Sequence, residues 1–91
     1  MKVLQIEDKE EYKLLGAVLV ETFEEAKPLI DNESFDFFIL DGNFPFNKGD
    51  PPGIIAPSVA DYIRYNGVSG KIIIWTNSVR AMRFCQDNNI T

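Results

Sequence analysis

Two uninterrupted apolar runs, too short to be helices, constrain this chain most: Phe37-Phe38-Ile39-Leu40 and, within Lys71–Trp75, Ile72-Ile73-Ile74-Trp75. A strand with one wet face alternates apolar and polar residues. A run without alternation fits a strand buried on both faces, as in parallel sheets covered by helices. Each run stops at a polar residue, Asp41 after the first and Thr76 after the second. In an open α/β sheet the carboxyl ends of the strands border a crevice in which ligands bind. Asp41 and Thr76 are therefore the first candidate site residues.

The other elements follow from local patterns. Val3, Leu4 and Ile6 form a first strand that also ends in acid, at Glu7-Asp8. Asp8 with Glu11 suits the start of a short helix over Lys9–Leu15, which Gly16 stops. Ala17–Glu21 reads as a second strand on its β-branched content. Thr22 and Glu25 have the spacing of a capping box, opening a helix to about Ile30 despite Pro28. Gly42–Ala56 holds three of the five prolines and three of the six glycines, so a long irregular loop is expected there. Phe44 and Phe46 in that loop suggest an exposed contact patch. Pro57 or Ser58 then opens a helix with Val59, Tyr62 and Ile63 on one face, closed by Asn66-Gly67. Ser78 suits the cap of a last helix carrying Val79, Met82 and Cys85 on one side. Phe35, Phe37, Phe38 and Trp75 are expected in the core.

Strands and helices thus alternate, which calls for a parallel sheet with right-handed crossovers in a three-layer, Rossmann-like α/β fold. The strand order expected is 2-1-3-4, which brings Glu7, Asp8 and Asp41 to adjacent strand ends. Three neighbouring carboxylates repel one another, so they take up protons or hold a hard divalent cation such as Mg²⁺. The hydroxyl of Thr76 and the amide of Asn77 join them from the fourth strand. Taken singly, Asp41 also fits a plain turn cap, and Glu7-Asp8 is more often a helix-starting pair than a metal site; the convergence of the strand ends is what favours a site.

Composition removes several classes. Nine basic residues against fourteen acidic ones leave a net charge of −5, which opposes binding to a phosphate backbone. One cysteine and no histidine exclude a disulfide within the chain and the usual zinc patterns. A reducing, cytoplasmic setting fits, and no stretch has the length of a membrane span or the form of a signal peptide. A single domain over residues 1–91 is expected, with no internal repeat or linker.

At these residues the chain resembles the receiver domain of bacterial response regulators. The resemblance rests on Glu7-Asp8 after strand one, Asp41 followed by Pro45, Thr76 after strand four, and the segment LVETFEEA. It implies a flavodoxin-like fold and a phosphoryl group accepted by Asp41. It also implies Mg²⁺ held by Glu7, Asp8, Asp41 and the main-chain carbonyl of Asn43, with the Thr76 hydroxyl on the phosphoryl group. The implied partner is a histidine kinase or an output protein. The pattern departs from the family in lacking the fifth strand, its lysine and the fifth helix, as in a truncated receiver. Lys9, Lys48 and Arg80 are the candidate substitutes for that charge. An order of 2-1-3-4 leaves the fourth strand at an edge, so a homodimer through residues 72–75, or a partner strand there, is expected, with Ile73 and Trp75 in contact. A degenerate interaction module that is never phosphorylated is the alternative. The motifs LDGNF and KIIIWTNS are also similar to those of haloacid-dehalogenase-type phosphatases. There the nucleophile would fall on Ile39, which implies an inactive scaffold.

Overall fold

The computed structural model describes residues 1–76, 80, 82 and 83. Four strands, β1 (Val3–Ile6), β2 (Val18–Val20), β3 (Phe37–Leu40) and β4 (Lys71–Ile74), form one all-parallel sheet in the order β2-β1-β3-β4. Helix α1 (Phe23–Asn32) joins β2 to β3, and α2 (Ala56–Tyr65) joins β3 to β4. This is the small α/β, flavodoxin-like arrangement expected from the alternation. Among the described residues, no helix is long and apolar enough to cross a membrane.

Register explains the core. Val3 pairs with Phe37 and Phe37 with Lys71, so residues at one level of neighbouring strands share a face. Leu4, Ile6, Phe38 and Leu40 are fully buried on the face that receives both α-helices. Helix α1 contributes Phe23, Ala26 and Ile30, and α2 contributes Val59, Ala60 and Ile63. Both sets recur at helical spacing, which is why the strip is continuous. Burying each large side chain there stabilises the fold by about 1.5–3 kcal/mol.

Helix α1 starts as the sequence indicates. The Thr22 hydroxyl accepts from the Glu25 N–H at 3.1 Å and stands 3.2 Å from the Glu25 carboxylate. Pro28 is tolerated because it lies on the exposed side, as does Glu24, whose carbonyl is the one that proline deprives of a helical donor. Helix α2 begins at Ala56, with Pro57 in its first turn, and ends at Tyr65, with Asn66 as its cap. Gly67 follows with φ 66°, the left-handed conformation that stops a helix at little cost. Gly70 matters for a different reason: a Cβ there would lie 2.6 Å from the Phe38 ring and 2.8 Å from the Phe35 carbonyl oxygen.

Four expectations need correction. The helix expected over Lys9–Leu15 is only a 3₁₀ turn, Glu10–Tyr12, with no buried residue. Lys9 rather than Asp8 precedes it, and no side chain caps it. The 3₁₀ turn fails to lengthen because the segment has no apolar stripe to bury. It nonetheless supplies the thin third layer, since buried Gln5, on the sheet face opposite α1 and α2, donates to the Tyr12 carbonyl and accepts from the Leu14 N–H. Phe44, expected at the surface, is fully buried, and Phe46 is partly so. Trp75, expected in the core, is 47 % exposed just beyond β4. Phe37, also expected in the core, is only partly buried. The edge position of β4, by contrast, is the one that the expected order gives it, and the strand is only partly buried there. Ser78, Val79 and Cys85 of the expected last helix lie outside the described residues.

Candidate functional site

The site grows out of three strand ends. The sheet ladder continues one residue past each strand: the Glu7 N–H donates to the Val20 carbonyl and the Asp41 N–H to the Ile6 carbonyl, both at 3.0 Å, and the Trp75 N–H to the Leu40 carbonyl at 2.9 Å. Glu7 and Asp41 are thereby held side by side on rigid backbone, and Asp8 follows at the mouth. One carboxylate oxygen from each of Glu7, Asp8 and Asp41 lies within 4.8 Å of the other two. They open into a cleft of about 400 Å³, lined also by Lys9, Tyr12, Asn43, Pro52, Trp75 and Thr76.

Crowding and burial raise the proton affinity of two of these acids. Burial, and then the neighbouring Asp41 charge, push Glu7 up from 4.5 to about 7. The main-chain N–H of Lys9, 3.3 Å from the Glu7 carboxylate, opposes that shift. Asp41 is also raised, chiefly by burial and with help from the Asp8 charge. It is held in place by the Gly42 N–H, which donates to its Oδ1 at 2.7 Å and favours the charged form. Near neutral pH the cluster accordingly has a use for one added positive charge, either a proton on Glu7 or a cation among the oxygens. A set of hard oxygen donors suits Mg²⁺ better than a soft metal.

The second wall is the loop after Asp41. Phe44 and Gly53 pair in an isolated antiparallel bridge, with N–H to carbonyl distances of 3.0 and 3.2 Å in the two directions. The carbonyls of Pro45 and Phe46 accept the N–H groups of Phe23 and Glu24, at 3.3 and 3.0 Å. These are among the donors that the first turn of a helix leaves unpaired, so the loop and α1 complete each other. Asn43 and Pro52 stand at the two ends of this tied segment, both facing the cleft.

Of the residues singled out in the sequence, Glu7, Asp8, Asp41, Asn43 and Thr76 come together in the cleft. Asn77 lies outside the described residues. Among the three candidate cations, Lys9 lines the cleft, whereas Lys48 and Arg80 are exposed and are not among its lining residues. Sequence reasoning missed Tyr12, Pro52 and Trp75 as cleft residues. Trp75 was recoverable from its place directly before Thr76; the other two depend on how the flanking segments turn. Comparison of the chain with family models, with curated proteins and with solved structures finds no match.

Proposed function

We propose that this chain is a receiver-like signalling module in which Asp41 accepts a phosphoryl group and the response is passed on by protein–protein contact. The observation that carries the reading is the meeting of the Glu7, Asp8 and Asp41 carboxylates, oxygens within 4.8 Å, at the carboxyl ends of β1 and β3. In this reading Glu7, Asp8 and Asp41 hold Mg²⁺, with the Asn43 main-chain carbonyl as a further oxygen. When bound, such an ion neutralises phosphoryl oxygens and orients the donor. An Asp41 oxygen attacks the phosphorus of an acyl phosphate or a phosphorylated histidine kinase. The bond from phosphorus to the donor breaks, the leaving group keeps its electron pair, and an aspartyl phosphate results. The Thr76 hydroxyl binds the transferred group, Asn77 adds its amide, and Lys9 supplies positive charge. The partners are the kinase and an output protein, in a cytoplasmic setting, and not nucleic acid. The exposed edge of β4, around Ile72–Trp75, is the surface for a second copy or a partner strand.

Incubation with acetyl phosphate and Mg²⁺, read by intact mass, tests the reading. One added phosphoryl group, absent from folded Asp41→Asn, is expected. Label elsewhere, or none after long incubation, would overturn it. A second reading, a module that is never phosphorylated, draws support from the raised Glu7 and Asp41: a shared proton already relieves their repulsion. That reading expects a wild type unlabelled under every donor.

A further inference from the structure

Lys27 follows Phe23 by one turn of α1, so both side chains share a flank of the helix. Its Nζ lies 4.9 Å from the centre of the Phe23 ring, 5.3 Å from that of Phe46 and 5.8 Å from that of Tyr62. The rings brace one another edge to face. Phe23 and Phe46 have centroids 5.0 Å apart at 79°, and Phe23 and Tyr62 are 5.4 Å apart at 80°. The Tyr62 hydroxyl is fixed in turn, donating to the Asp31 carboxylate at 2.6 Å. The result is an aromatic cup made by α1, α2 and the loop, with an ammonium in it.

Lys27 makes no ion pair among the described residues, and its side chain is half-buried. The ring faces are thus what holds the amine, through their negative quadrupoles, while the methylene stem covers apolar surface. Phe46 is the loop's only ring in this cup. Its own carbonyl and that of Pro45 bind the start of α1, and the same loop carries Asn43 and Pro52 to the cleft. The cup thus adjoins the loop that walls a site that Lys27 does not itself line.

We propose that Lys27 is a positioning residue for the cleft: its ammonium, held by Phe23, Phe46 and Tyr62, locks the 43–53 loop and so sets the Asn43 and Pro52 wall. The assignment rests on the proposed function only for its metal readout. The decisive comparison is Lys27→Met, which keeps a flexible stem without charge, against Lys27→Arg, which keeps a cation for the rings.

Hydrogen exchange at the Phe44 and Gly53 amides reports the loop directly. In Lys27→Met it should quicken about 3- to 10-fold, as expected for losing a partly desolvated cation–π contact, while Leu4 and Phe38 amides in the sheet keep their rate. Lys27→Arg should restore wild-type exchange. In Lys27→Ala, tetramethylammonium should enter the cup and slow the same amides again. Mg²⁺ affinity, followed by Trp75 fluorescence, should fall about 3- to 10-fold in Lys27→Met and recover in Lys27→Arg. Unchanged loop exchange in Lys27→Met, or equal acceleration of sheet and loop amides, would overturn the proposal. So would an arginine variant that behaves like methionine. A wild type that binds no Mg²⁺ would count against the proposed function alone, since loop exchange still decides the role of Lys27.

Discussion

The two segments that wall the cleft each leave a strand end bearing an acid, yet they are built in opposite ways. Residues 42–55 are anchored several times: Phe44 is fully buried, it pairs with Gly53, and Phe46 leans on Phe23 beneath Lys27. Residues 8–16 are held chiefly from below, by the side chain of Gln5. Two of their large side chains contribute little to the core, with Leu15 wholly exposed and Tyr12 46 % exposed. An irregular loop can thus be the firm wall of a site and a helix-like turn the soft one. What decides is the apolar area and the backbone bonds each segment commits to the core, not its secondary structure.

The sharpest way to break this contrast is Phe44→Ala. Removing a fully buried ring should cost about 3–5 kcal/mol, a large part of the stability of a domain this size, measured by urea denaturation. A loss below about 1 kcal/mol would mean that the loop is not anchored through Phe44.

Glu7 tests the floor between the walls. Because its carboxyl is raised to about 7 in the fold from an ordinary 4.5, the folded chain holds this proton more tightly than the unfolded chain. Its contribution is fully present below about 4.5 and is lost as the pH rises through about 7. Without divalent cations, Glu7→Gln should therefore be the more stable protein at pH 8, by on the order of 1–3 kcal/mol, and lose that advantage near pH 4. Millimolar Mg²⁺ should raise the melting temperature of the wild type most at the alkaline end. A melting temperature with the same pH profile in both proteins would show that the fold does not raise the Glu7 carboxyl.

The soft wall should respond to its main tether. Gln5→Met leaves the Tyr12 carbonyl and the Leu14 N–H without their partner and should cost about 1–2 kcal/mol. Proteolysis should then begin within residues 9–16 and spare 43–53; the reverse order would invert the comparison. The smallest effect belongs to Leu15→Lys. A fully exposed side chain should change stability by less than about 0.5 kcal/mol, and a larger loss in thermal melts would reveal a contact made by that face.

Read from the sequence alone, the strands, their order and the three converging acids were legible. The reason is physical: a short apolar run ending in acid marks both a buried strand and its carboxyl end, and right-handed crossovers leave few ways to order such strands. The Thr22 cap was legible too, since its spacing to Glu25 is local. The turn at Glu10–Tyr12, the burial of Phe44, the exposure of Trp75 and the Lys27 cup were not. A capping pattern such as Asp8 with Glu11 signals a helix start, but whether a helix grows depends on an apolar face and something to bury it against. A phenylalanine in a proline-rich loop carries no mark of which way the loop folds. Trp75 completes an apolar run in sequence and lies past the ladder's last strand residue in space. Sequence determined where the acids stand along the chain; only tertiary packing decided which neighbouring segment holds firm around them.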